Sequence, residues 1–383
     1  MLVAAWLLAQ FGPRVPLTPA ETLLAPEILR TIERASVEGA DVAVIAGSDS
    51  GAGEIALACE AGQCEAIQWA ARRLGPAIAA RQIPQPARTI RVVNSAAAPA
   101  RNTKAAIFVG RSKGRSLQLV RGLWSTADVA DEVVEIFARQ ALSALEVRAY
   151  QDAAQPAWEP FGVAVTAIVP PLDATDLDRA SFIAAASAYF LATLPNAGSE
   201  ALLSHLTVGA HARLAEDGRK AVAQMGPQQR ASADVLIMFG QAIEREQRRM
   251  RSFERYMPAP VDPMLLSRIA DMEQGITSVW TSIGITSSPF VPAAERIRGR
   301  GGEDRRIPAR AGSAPIAAVE PPTAFLKFDS PANIVYELGN FIDGKRSISD
   351  IRDAVSAEFG PLPLPLVVDY FERLAKSGAI TIR

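Results

Sequence analysis

Five short apolar runs, each bounded by turn residues and set between stretches of helical spacing, occupy the first half of this chain. No other feature restricts its fold as much. The runs are Asp41–Ala46 (DVAVIA), Arg88–Asn94 (RTIRVVN), Ala105–Gly110 (AAIFVG), Leu117–Val120 (LQLV) and Val163–Val169 (VAVTAIV). Apolar runs of four to eight residues closed by Gly, Pro or Asn predict buried strands. Between them, helical spacing predicts helices over Thr18–Glu38, about Ala56–Ala80 and Asp128–Leu145. In the last of these, Val129, Val133, Ile136 and Phe137 share one face. Strands alternating with helices predict an α/β fold, a twisted and mainly parallel sheet with flanking helices.

The second half changes character. Asp176–Leu194 is a strongly apolar helical run, and Glu200–Met225, Ser232–Tyr256 and Leu265–Ile283 continue the helical pattern. Pro289–Pro322 is rich in Pro, Gly, Ala and Arg and predicts a linker. Thr323–Arg383 has an apolar pattern of its own: three short helices, the second capped by Ser347, and a closing strand over Ala379–Ile382. This order is that of a small winged-helix domain. The expected division is an N-terminal segment (residues 1–38), an α/β domain (39–195), a helical extension (196–288), the linker (289–322) and the C-terminal domain (323–383).

Charge and rare residues narrow the function. Lysine plus arginine number 40 against 41 acidic residues, so no global field attracts nucleic acid. The C-terminal unit carries seven bases against eight acids, and Asp350 and Asp353 lie on its second helix. Phosphate contact needs a basic face, and no nucleic-acid partner is expected. No apolar run approaches the ~18 residues of a spanning helix. Met1–Ala9 (MLVAAWLLA) matches the core of a signal peptide but lacks a basic start. It implies a periplasmic or secreted protein if it belongs to a signal, and a cytoplasmic one otherwise.

The chain has two histidines, His205 and His211, six apart on a predicted helix and so off a common face. Without a G-x-S-x-G elbow they make a poor basis for a Ser-His-Asp site, and ordinary helix positions are expected. Gly47–Gly53 (GSDSGAG) has phosphate-loop composition but no G-K-[ST] ending, and predicts a tight strand-to-helix turn. Cys59 and Cys64 could bridge in an oxidising compartment; two buried or partly buried thiols are the expected state. Glu244–Arg255 (EREQRRMRSFER) is densely charged and predicts a solvated helix face.

Several segments together resemble a known family. R-T-I-R-V-V-N, A-A-I-F-V-G-R-S, S-L-Q-L-V-R-G-L-W-S-T-A-D-V-A-D-E-V-V and D-A-T-D-L-D-R-A-S-F-I-A-A-A-S-A-Y-F-L-A occur in this order. The series is similar to the M28 family of zinc aminopeptidase-type peptidases, over roughly Asp41–Arg383 with gaps. N-I-V-Y-E-L followed by I-D-G-K-R-S-I-S-D-I resembles the PqqD-like winged-helix domain, which binds peptides in other contexts. The M28 resemblance implies two zinc ions held by two His, two Asp and a Glu, with a further Glu as general base.

Position by position, those ligands are missing. The His of the first motif corresponds to Gly47, with Asp49 as its surviving Asp. Before the next helix the only acids are Glu54 and Glu60, Asn94–Ala97 stands for the Glu-Glu pair, Ile107 for a further Asp, and Val169–Leu172 carries no His. The resemblance therefore implies a non-catalytic M28-like pseudopeptidase. Its role would be binding or assembly with a catalytic M28-type paralogue or as a homo-oligomer, with a peptide as a further candidate partner and no cofactor. The alternative is a metal-dependent aminopeptidase-like hydrolase, with zinc or a harder cation in a rebuilt site of Asp49, Glu54 and Glu60.

Overall fold

A computed structural model describes residues 17–49, 51–59, 64–94, 99–110, 117–121, 127–142, 146–149, 164–170, 173–223, 233–258, 261–282, 304–311, 322–328, 331–359 and 362–383. The Met1–Ala9 run, Glu60 and most of the linker lie outside the described residues.

The N-terminal helical stretch is two helices, α1 (Pro19–Leu23) and α2 (Pro26–Arg34). Thr18 and Glu21 form a capping box at the start of α1, and Leu24 turns extended before Pro26 opens α2. A proline disfavours helical backbone in the residues leading into it, which breaks the expected single helix.

A seven-stranded mixed sheet follows: β1 (Val44–Ile45), β2 (Glu54–Cys59), β3 (Thr89–Asn94), β4 (Thr103–Val109), β5 (Gln118–Arg121), β6 (Glu146–Ala149) and β7 (Ala164–Val169). Their order is β1-β3-β2-β4-β7-β5-β6. The central β3-β2-β4-β7 block is parallel, while β1 joins β3 and β5 joins β7 in antiparallel fashion. The fold is thus mixed α/β. Two strands depart from the sequence expectation. β2 lies at the centre of the sheet, where a helix beginning near Ala56 is predicted. All six of its residues are buried, so E-I-A-L-A-C shows no alternation to mark it as a strand. β6 begins just beyond the predicted end of the Asp128–Leu145 helix, in a stretch with no strand expectation, and it is only four residues long.

Three helices lie side by side against the sheet: α3 (Glu65–Ala79), α5 (Ala174–Thr193) and α4 (Val129–Ala141), with α5 between the other two. Residues Ala180–Ala192 of α5 are all buried. A helix apolar on every side belongs in an interior, and its alanines let its neighbours approach. Its partners on the sheet include Ile55, Leu57, Ala105 and Ile107.

The helices α6 (Ser199–Ala223), α7 (Ala233–Ser252) and α8 (Pro263–Ser282) add Leu203, Leu206, Ile243, Met250 and Ile269 to the same apolar cluster. A 3-10 turn over Phe253–Tyr256 extends α7. None of the described helices is long and apolar enough to cross a membrane.

The C-terminal unit has a separate apolar cluster, running from Phe325 to Ile380. It consists of α9 (Pro331–Asn340), α10 (Ile348–Phe359), α11 (Leu364–Lys376) and β9 (Ile380–Ile382). Ser347 caps α10 as expected, its hydroxyl accepting from the Asp350 amide. The predicted linker contributes a strand, β8 (Pro308–Arg310), antiparallel to β9. Proline is tolerated there because Pro308 is the first residue of an edge strand. Residues just before β8 also bond to the start of α10, where the Ile348 amide donates to the Arg306 carbonyl and the Ser349 amide to the Asp304 carbonyl.

Candidate functional site

The Gly47–Gly53 turn joins β1 to β2, strand to strand rather than strand to helix, at the end of the sheet where β2 begins. The described amides of Gly47, Ser48, Asp49 and Gly51 are already engaged. Gly47 donates to the Thr89 hydroxyl, Ser48 to the Pro86 carbonyl, Asp49 to the Ala87 carbonyl, and Gly51 to the Asp49 carboxylate. A phosphate cradle needs such amides free to point at a ligand. Gly47 is required by close approach, since a Cβ there would lie 2.4 Å from the Ala87 carbonyl oxygen.

Asp49 therefore serves the turn. Glu54, the first residue of β2, is buried and fully employed: Arg91 donates to one carboxylate oxygen at 2.9 Å and the Thr103 hydroxyl to the other at 2.9 Å. Glu60, next after Cys59 in sequence, lies outside the described residues. At ~3.3 Å per residue, β2 separates its two ends by roughly 16 Å. Asp49 and Glu54 share one end of the sheet, but Glu54 spends its oxygens on Arg91 and Thr103.

At the opposite end, parallel strands present their carboxyl tips, the usual ligand side of an open α/β sheet. Here β2 ends in Cys59, β3 in Asn94 and β4 in Val109, followed by Gly110. Ile107, which the M28 resemblance sets against an Asp, is wholly buried inside β4. Cys59 is bonded to Cys64, the residue before α3, with 5.1 Å between their Cα atoms. The expected pair of free thiols is thus corrected. The β2–α3 crossover brings the two Cα atoms within the span a bridge requires, a proximity that spacing alone does not reveal. Among the described residues, no group of three His, Cys, Asp or Glu side chains is placed to hold a metal ion.

The histidines serve their helix. His205 lies 3.2 Å from the Thr22 hydroxyl of α1 through Nε2, and His211 Nδ1 lies 2.8 Å from the Thr207 carbonyl one turn back. Among the described residues no carboxylate orients either imidazole, as a nucleophilic triad needs.

The densest polar constellation is one that the sequence reading assigns to solvent. The charged run of α7 turns inward. Glu246 is wholly buried and accepts from Arg213 of α6 through both oxygens (2.9–3.1 Å), from Arg245 at 2.7 Å and from Arg249 at 2.8 Å. Arg213 continues to Glu132 of α4 at 3.0 Å, and Arg245 to Asp217 of α6 at 2.9 Å. Three guanidiniums thus face three carboxylates. Burial pushes the Glu246 carboxyl up, but Arg249, Arg245 and Arg213 outweigh it and hold the group far below the usual carboxylate range. Burial also disfavours the charge on Arg213, and Glu246 and Glu132 more than restore it. Gly209 leaves room for this crossing, since a Cβ there would lie 3.0 Å from both Arg213 and Glu132. Three glutamates set among the five arginines of the run are the one sequence hint of this closure.

A second buried group adjoins it. Asp128 caps α4 by accepting from the Ala130 amide, and also accepts from the Tyr256 hydroxyl at 2.9 Å. Burial first, then the Asp128 charge, pushes the Tyr256 phenol well above its ordinary value. Arg88 places its guanidinium against the carbonyls of Leu191, Leu194 and Tyr256. Burial lowers its pKa, with Tyr256 and Asp49 opposing. Both groups close loop ends.

Comparisons with known proteins add little. No family model matches the chain, and no curated protein matches it. Among solved structures, one described as a "putative peptidase" from Clostridium acetobutylicum aligns over 89% of this chain and 59% of its own. The chain thus spans about three-fifths of that protein's length. Sequence identity is 11% and the TM-score is 0.24, a likeness on which no argument rests.

Proposed function

We propose that this chain is a non-catalytic M28-like pseudopeptidase that works as a binding or assembly subunit, paired with a catalytic M28-type peptidase or with another copy of itself. The observation that carries the reading is the composition of the sheet's ligand-side tips. Cys59, Asn94, Val109 and Gly110, the residues at those tips, include none of the carboxylates and imidazoles from which such a zinc site is built. The chain's two imidazoles sit on α6, tied to Thr22 and to the Thr207 carbonyl. A scaffold retained without such donors is suited to contact rather than catalysis. The separately cored C-terminal unit, read as a PqqD-like winged helix, fits a protein- or peptide-contact module.

Elemental analysis of the purified protein, with and without added zinc, tests the first half of the proposal. The expected result is no tightly held zinc and no hydrolysis of aminoacyl anilides. About two zinc ions per chain would overturn it in favour of a rebuilt site. Light scattering of the protein alone, and after mixing with a catalytic M28-type peptidase, tests the second half. A monomer that shifts in neither case would refute the assembly role.

A further inference from the structure

We infer that the Cys59–Cys64 bridge is a reducible switch at the ligand-side tip of the central strand, opened at the Cys64 sulfur. The two sulfurs are unequal. Cys59 is the last residue of β2 and is buried among the strands, at 1% exposure, whereas Cys64 stands at the mouth of α3 and is partly exposed. Exchange requires an attacking thiolate to reach one sulfur in line with the bond, and access favours Cys64.

The leaving side is prepared as well. The Val93 carbonyl oxygen of neighbouring β3 lies 3.5 Å from Cys59 Sγ. Once reduced, the Cys59 thiol has that acceptor in reach and does not become an unsatisfied buried donor. The site therefore accommodates both oxidation states without moving β2, whose six residues stay locked in register with β3 and β4. What the bridge restrains is the other partner, the start of α3.

The chemistry balances with a dithiol as reductant. One of its thiolates attacks Cys64 Sγ, the Cys59–Cys64 bond breaks, and Cys59 leaves as a thiolate that takes up a proton. The reductant's second thiol then displaces Cys64 from the mixed disulfide and leaves as a cyclic disulfide. Two electrons pass to the bridge, and both cysteines end as thiols. The consequence lies at the carboxyl end of β2, on the side of the sheet where ligands usually meet open α/β folds. In the oxidised state the first turn of α3 is tethered to the end of β2; in the reduced state it is released.

The test uses the full chain, purified without reductant. Native protein is treated with dithiothreitol, alkylated with iodoacetamide and weighed intact, while hydrogen exchange follows the Glu65–Gln68 amides. The expected result is no alkyl group before reduction and two after it, with faster exchange at the start of α3 and unchanged exchange in β4. Two alkyl groups without reductant, or a bridge that yields only after the protein has unfolded, would overturn the inference. The asymmetry is read from single variants: Cys64 in Cys59→Ser should alkylate at least about tenfold faster than Cys59 in Cys64→Ser. Equal rates in folded variants would sink the assignment of Cys64 as the attacked sulfur. If either variant fails to fold, the same asymmetry is read on the native chain by trapping with glutathione and mapping which cysteine carries it; glutathione on Cys59 would refute the order.

Discussion

Replacing Glu246 with glutamine isolates what the buried charge cluster contributes. The side chain keeps its shape, but three guanidiniums that converge on it at 2.7–3.1 Å lose their shared counter-charge. At least one of them then meets the amide NH2, donor against donor. Removing one partner from a buried ion network costs about 3–5 kcal/mol, because the remaining charges stay desolvated and uncompensated. For a chain of this size each kcal/mol moves the melting temperature by only about 1.2 °C, so E246Q should melt about 4–6 °C below the parent at pH 7. The pH profile supplies an independent reading. Glu246 titrates lower in the folded protein than in the unfolded chain. Its contribution is therefore fully present above the unfolded carboxylate value of about 4.3, and is lost as pH falls below it towards the depressed folded value. Thermal unfolding of both proteins between pH 7 and pH 3 should show the gap at its widest at neutral pH and narrowing in acid. A melting temperature within about 1 °C of the parent at pH 7 would refute the argument, and would mean that water screens the cluster as it does a surface pair.

Other perturbations test other joints of the fold. Arg73 is buried in α3 and donates to the carbonyls of Ile32, Glu33 and Ala35 at the end of α2 and to Ser181 of α5, and it pairs with Asp178. Arg73→Met should destabilise by about 3 kcal/mol or more in urea titration, with Arg73→Lys recovering only part, since one ammonium cannot span those acceptors. Gly47→Ala forces a Cβ to 2.4 Å from the Ala87 carbonyl, so the strand entry must shift. A loss of about 1–3 kcal/mol is expected by calorimetry, and a neutral change would contradict the close approach. Replacing Cys59 and Cys64 together by serine should lower stability by about 2 kcal/mol, the loop-closure value for so short a loop, measured against the oxidised parent. No difference would mean that the bridge is not formed in solution.

The strands that flank β2 are legible in the sequence because each carries a compact run of β-branched residues ended by Asn, Gly or Pro. β2 itself is not. Its alanines and leucine suit a helix equally well, and burial on both faces removes the alternation that separates the two states. β8 is hidden for a different reason, since three residues opened by Pro308 gain strand character only by pairing with β9. At the candidate site, the missing carboxylates and imidazoles can be read directly from residue types. The disulfide and the inward turn of the α7 charges cannot, because both depend on which segment the fold brings alongside.

The charges of α7 have a common explanation in the helix's position. Glu246 faces Arg213 of α6, beneath which Arg213 reaches Glu132 of α4. Arg248, two residues on and so about 200° around the helix, turns the other way. There α7 packs against α10 of the C-terminal unit, and the Arg248 guanidinium lies 5.8 Å from the Phe341 ring, with Arg346 5.1 Å from the same ring. Burial and Arg346 lower the Arg248 pKa, while Glu244 and Glu337 oppose them. A helix polar on all sides has no apolar face to bury and ordinarily lies in solvent or bridges two bodies. The charged second half of α7, from Glu244 to Arg251, is that bridge: around it the described apolar contribution is Ala242, Ile243 and Met250, and charge is answered by charge on both flanks. The two apolar clusters on either side remain separate, so it is this polar seam, not a shared core, that sets the C-terminal unit against the sheet domain.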